Sequence, residues 1–269
     1  MFSALLLSLR EGLEAALIIG IVLAALKKIK RTDLRPWAWG GVLAAVLLSL
    51  TVSFLLDRLG VSFQGKVEQI FEGLAMLSAA ALLTWMILWM QRHSASLKTE
   101  LEAQTAQAAS GRDKTAIFSL IFFAVFREGL ELSLFLLAAR LASSGNDTTL
   151  GTLLGLTLAA VIGWIIFSLS SRLSLQRFFQ VTNILLILFA AGLVGLAVHE
   201  LNEAGWIPEL IVHVWDFSLV LSEESTLGGI LKALFGYQSS PSLAAIIGYL
   251  LYLFPLGIKA LFPQKSAKK

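Results

Sequence analysis

The stretch that decides the reading is SLREGLEAALIIGIVLAAL, residues 8–26. It is long and apolar enough for a membrane, yet it holds Arg10, Glu11 and Glu14. A second copy follows at 126–139, FREGLELSLFLLAA, with Arg127, Glu128 and Glu131. On a helix of about 100° per residue with Glu11 at the origin, Glu14 falls at about −60° and Arg10 at about −100°, with Leu13 on the opposite side. The charges therefore form one polar stripe. Each charge at a helix centre opposes insertion by about 2.5–3.5 kcal/mol, so three oppose it by roughly 8–10, and about 15 apolar neighbours return roughly 7. Such a helix is marginal alone, and its stripe is expected to face protein or water. An i,i+4 ion pair between Arg10 and Glu14 would be a purely structural explanation. The surplus carboxylate in each copy, and the repetition itself, favour a site.

Composition sets the class. The 269 residues are 57% hydrophobic and 14% charged, against about 25% charged in a soluble domain. This is an all-α, integral membrane chain. Its continuous apolar runs suit helices rather than the alternating segments of a barrel. There is no cysteine, which excludes disulfides, thiolate metal sites and cysteine nucleophiles. No phosphate-binding loop is present, so this chain does not itself use ATP. The net charge of +3 does not indicate nucleic acid. The N-terminus lacks the basic segment and cleavage site of a signal peptide, and none is expected.

Seven spans are expected, at roughly 3–26, 37–56, 67–90, 116–139, 150–170, 179–198 and 242–262. Every second loop is basic: Lys27, Lys28, Lys30, Arg31 and Arg35; then Arg92, Lys98, Arg112 and Lys114; then Arg172 and Arg177; then Lys265, Lys268 and Lys269. The positive-inside rule puts these in the cytoplasm, the N-terminus outside and the C-terminus inside. Trp37, Trp39, Trp85 and Trp89 fit the inner interface. The segment 91–114 reads as a short polar helix or a flexible linker. Gly151 and Gly155 give span 5 a small-residue face for close helix packing.

The chain reads as one permease domain, 1–269, built on a 3+3 inverted-topology repeat. Repeat 1 covers about 1–92 and repeat 2 about 115–200. An outer loop follows at about 199–241, and the seventh helix at about 242–262 lies outside the repeat. Inverted repeats are typical of transporters, with the site at the repeat interface near the midplane. If spans 1 and 4 pack together, Glu11, Glu14, Glu128 and Glu131 converge with Arg10 and Arg127, and Gly12 and Gly129 are expected to ease the approach. Carboxylates without thiolate or imidazole favour hard cations. Glu72 is a further candidate ligand, and Glu68 fits a ligand or a solvated interfacial residue equally. Asp57 reads as a boundary residue. In the acidic outer loop His199, Glu200, Glu203 and Asp216 could capture cations. The alternative is an outer loop merely poor in Lys and Arg, with residues 207–221 forming an amphipathic interfacial helix. His213 and Trp215 read as packing residues.

The paired Arg-Glu-Gly-Leu-Glu motifs resemble the oxidase-dependent iron permease family, with its fungal high-affinity and bacterial branches. The resemblance extends through EQIFEGLAMLSAAALLTWMILWM (68–90), FAAGLVGLAVHELNEAG (189–205) and GILKALFGYQSSPSLAAIIGYLLYL (229–253). It implies seven spans with the N-terminus outside and motif glutamates that bind and pass iron. It implies iron as a transported substrate rather than a tightly bound cofactor, in the cytoplasmic membrane. It also implies separate extracytoplasmic iron-binding, oxidase or peroxidase partners. Lead or manganese are alternative cargoes. A membrane-embedded di-iron oxidase is a further alternative, disfavoured because such sites want Glu-x-x-His pairs.

Overall fold

A computed structural model describes residues 1–62, 64–93, 96–111, 114–142, 147–169, 175–208, 211–223 and 225–261. Among these residues the fold is entirely helical. The long helices are α1 (Phe2–Lys28), α2 (Arg35–Ser62) and α3 (Lys66–His93), then α5 (Thr115–Leu141), α6 (Asp147–Leu169), α7 (Leu175–Glu203) and α9 (Leu243–Leu261). Two shorter ones, α4 (Leu97–Ser110) and α8 (Thr226–Phe235), lie between them. Four helices are apolar and long enough to cross a bilayer by composition alone, within α2, α3, α6 and α7. This is a multi-pass membrane protein. The helices α1 and α5, 27 residues each, carry the charged motifs.

Packing follows the small residues. On α6, Gly151, Gly155, Ala159 and Gly163 recur every fourth residue, and a Cβ at these glycines would meet Met1 and Leu5, then Ser8 and Leu9, then Ala16 of α1. Rising residue numbers on both helices mean that they run parallel and in close contact. The pair α2–α5 repeats this arrangement. Gly41 meets Phe118 and Ile121, and Ser49 meets Gly129. So α1 lies along α6 and α2 along α5, while α1 also touches α5 and α3 packs on α7. Met76, Leu83, Met86, Phe135, Leu186 and Leu193 fill the core between α3, α5 and α7.

The motif glycines depart from expectation. Gly12 faces Leu156 and Ala159 of α6, and Gly129 faces Ser49 of α2; they do not face each other. The wheel explains this: Gly12 stands about 100° from Glu11 and about 160° from Glu14. The glycines seat each motif helix on its parallel neighbour and leave the stripe free for the other motif.

The connecting segments decide between alternatives in one place and correct the reading in others. Segment 91–114 contains a real helix, α4, whose Leu101, Thr105 and Ala109 are buried one turn apart. It packs on α1 and α5, with Lys28 3.0 Å from Glu102. The expected interfacial helix in the outer loop does not form: residues 211–217 are irregular, with bends at Val212 and Val214. Their backbone instead bonds across to 239–243, with Val214 N–H donating to Pro241 O (3.1 Å) and Phe217 N–H to Ser239 O (2.8 Å). His213 and Trp215 are exposed rather than packed. Glu209, Glu224, Arg112, Arg172 and the C-terminal lysines lie outside the described residues.

The outer loop also holds α8, unforeseen in the sequence. Ser225 caps it, accepting from Gly228 N–H at 3.0 Å, and Gly236 ends it at φ 66°. Both are ordinary start and stop signals. Its end packs backbone to backbone on Gly192 of α7, so α8 folds down against α7 and α1. Asp57 does more than mark a boundary: it pairs with Arg140 and ties the ends of α2 and α5.

Candidate metal site

The two polar stripes meet where α1 crosses α5. Glu11, Glu128 and Glu131 are all buried, and each offers one carboxylate oxygen within 4.8 Å of the others. Oxygen ligands at about 2.1–2.5 Å from one cation stand about 4–5 Å apart across it, so these three can share an ion. No other such group of acidic or imidazole side chains occurs among the described residues. Neither oxygen of Glu11 has a hydrogen-bond partner, nor do Glu14 Oε1, Glu128 Oε2 and Glu131 Oε2. Buried carboxylates without donors are costly unless a cation or proton balances them. Four carboxylates against two guanidiniums leave a deficit of positive charge that a cation can fill.

The arginines differ. Arg10 Nε lies 3.3 Å from Glu14 Oε1, and the Arg10 side chain is 0% exposed. Arg127 Nε lies 3.0 Å from Glu131 and its side chain is 41% exposed, with Glu128 at 3.7 Å. The Arg127 guanidinium also lies 5.1 Å from the ring centre of Trp89 and 6.0 Å from that of Trp85. Thus Glu14, one of the four motif glutamates, forms an ion pair with Arg10 that lacks hydrogen-bond geometry, and it does not join the group of three.

Glu72 and Glu68 stand apart from this centre. They are half-buried near the start of α3, where their charges act on Glu200 together with those of Glu203 and Lys232. Gln69 Nε2 donates to Glu203 (2.8 Å), and His199 lies 3.3 Å from the same carboxylate. Glu68, Glu72, Glu200, Glu203 and His199 therefore make a second polar cluster where α3 meets the end of α7. Asp216 is not part of it. It is exposed and accepts from Ser218 N–H at 2.9 Å; the Ser218 hydroxyl first, and this N–H second, hold its carboxyl below the usual range. Glu223 works differently again. Burial pushes its carboxyl up, but the Lys232 ammonium and the Ser239 donors outweigh that and hold it low.

Sequence reasoning placed Trp85 and Trp89 only at the interface and missed their contact with Arg127. One signal was available, since both tryptophans lie on one face of α3 at i,i+4 spacing.

The family model for the iron permease FTR1 family matches residues 1–263. The chain belongs to that family. A permease moves its cargo and is not an enzyme, which sets aside the di-iron oxidase. This permease is 36% identical over 268 residues to the ferrous iron permease EfeU of Yersinia pestis, covering 99% of this chain and 95% of that one. It is 35% identical to the ferrous iron permease EfeU of Escherichia coli O6:K15:H31, covering 99% and 97%. No solved structure matches the chain.

Proposed function

We propose that this protein carries iron across the cytoplasmic membrane into the cell, through the carboxylates of its two Arg-Glu-Gly-Leu-Glu motifs. The observation that carries the reading is the buried meeting of Glu11 with Glu128 and Glu131, oxygens within 4.8 Å, from helices far apart in sequence. Both halves of the chain are needed to build it. Hard oxygen ligands in excess of the available guanidiniums suit a di- or trivalent cation. The family and its ferrous iron permease relatives favour iron.

In this reading seven helices, α1, α2, α3, α5, α6, α7 and α9, cross the bilayer, with the N-terminus outside. Of the charges that keep α1 and α5 from reading as spans, Arg10, Glu11, Glu14, Glu128 and Glu131 are buried against protein, as intramembrane ionisable groups require. The first and second three-helix units run in opposite directions. Their reciprocal pairing, α1 on α6 and α2 on α5, is what an inverted repeat requires. Iron gathers near Glu72, Glu200 and Glu203, sheds water for Glu11, Glu128 and Glu131, and leaves to the cytoplasm. Arg10 and Arg127 temper the negative field so that the ion is not held too tightly. Extracytoplasmic iron-binding or oxidase proteins supply the ion in its carried state.

Uptake of labelled ferrous and ferric iron into proteoliposomes, with and without a pH gradient, tests this. One iron state should accumulate, and Glu128→Gln should abolish its uptake while the protein stays in the membrane. Uptake that persisted in that variant would sink the mechanism. Stronger transport of manganese or lead in competition would change the cargo.

A further inference from the structure

We propose that Trp89, with Trp85 beside it, positions Arg127 as a movable counter-ion on the water-accessible, cytoplasmic side of the acidic pocket, whereas Arg10 is its fixed counterpart. The proposal rests on the reading of the chain as a cation permease. Arg127 sits between two attractions. On one side Glu131 and Glu128 lie 3.0 and 3.7 Å from its Nε. On the other its Cζ lies 5.1 Å from the Trp89 ring centre and 6.0 Å from that of Trp85. The two rings stack with centroids 6.4 Å apart at 28°, forming a double aromatic wall on α3. A cation over such a wall gains about 0.5–2 kcal/mol, the same order as a half-exposed ion pair. The guanidinium makes both contacts at once, so it can give up the carboxylates by side-chain rotation and keep the rings, at little change in energy. An arriving cation must displace it from Glu131 to gain that oxygen, and the rings keep it.

Arg10 has no such freedom. Its side chain is 0% exposed, and no aromatic ring faces it among the described cation–ring pairs. A guanidinium facing hydrocarbon at helix centre costs about 2.5–3.5 kcal/mol or more, which favours water over lipid at the 41% exposed face of Arg127. Side chains lean toward the N-terminal end of their helix. On α5 that is the Thr115 end, which adjoins the basic segment with Lys98 and Lys114. Trp89, one turn from the end of α3 at His93, lies at the same side.

Two measurements test this. In proteoliposomes, Trp89→Leu should raise the KM for ferrous iron about three- to tenfold, the loss of one cation–ring contact, with Vmax nearly kept. Trp89→Phe should restore most of the affinity. In an Arg127→Gln background Trp89→Leu should change nothing further; an equal effect there, or a loss confined to Vmax, overturns the positioning role. Second, the chain has no cysteine, so single cysteines report water directly. Arg127→Cys should react with a membrane-impermeant thiol reagent in inside-out vesicles, and Ser8→Cys, fully buried on α1, should not. An inert Arg127→Cys, or one labelled only from the outer face, overturns the proposal whatever the cargo. A chain that labels as expected but moves no iron fails the permease reading alone.

Discussion

The two motif copies share five residues, Arg-Glu-Gly-Leu-Glu, yet their surroundings make them unequal. In the first, Arg10 and Glu14 are sealed, with Leu13 packed beside Ala159 of α6. In the second, Arg127 leans out onto Trp89 while Glu128 and Glu131 stay buried. The same backbone pattern has become a closed wall on one side and an adjustable one on the other. Identical motifs need not do identical work; the third helix packed against each decides.

The largest effect should come from the residues the two copies hold in common. Glu11→Gln and Glu128→Gln should each abolish cation uptake without loss of membrane protein; uptake in either variant would mean that one motif suffices. The arginines should then separate the copies. Arg10→Gln leaves Glu14 buried beside no cation, which costs roughly 3–5 kcal/mol and should appear as a large fall in melting temperature in detergent micelles. Arg127→Gln, half-exposed, should melt near the parent and alter transport instead. Equal losses of stability would erase the distinction between the two arginines.

The glycines should restore the symmetry. Gly12→Val and Gly129→Val both push into a parallel neighbour, Ala159 in one case and Ser49 in the other. Each should destabilise by about 1–3 kcal/mol, the usual penalty for overpacking, with little change in cation affinity of the protein that remains folded. The smallest effect belongs to the pair Asp57–Arg140 at the exposed ends of α2 and α5. Asp57→Asn should cost under about 1 kcal/mol, and that loss should shrink in high salt.

The outer loop adds a pH-dependent comparison. Glu223 titrates below its ordinary value in the folded protein, so its bond to Lys232 stabilises α8 above the ordinary carboxylate range. That stability is lost as pH falls through the lowered value. Glu223→Gln should weaken the acid dependence of proteolysis in the 211–242 segment, leaving the share that Asp216 contributes.

Much of the site was legible in the chain. The spacing of Arg10, Glu11 and Glu14 puts them on one arc of any helix, whatever surrounds it, and two such arcs in one membrane chain must hide from lipid. Gly12 and Gly129 do not ease the approach of α1 to α5 as expected, because their wheel angles turn them from the stripe toward α6 and α2. The outer loop misled for another reason. Residues 211–217 have helical amphipathicity, but their backbone donors found Ser239 and Pro241, and hydrogen bonds to a distant segment override a local pattern. The role of Trp89 could not be read, since nothing in the order of residues says that α3 lies beside the second motif.

The sequence by itself determined the class, the charged stripes and the number of carboxylates, because these depend on composition and helical period alone. Only the tertiary structure decided which three carboxylates meet. It also decided which arginine is sealed and which has room to move, because those depend on which helix packs against each stripe.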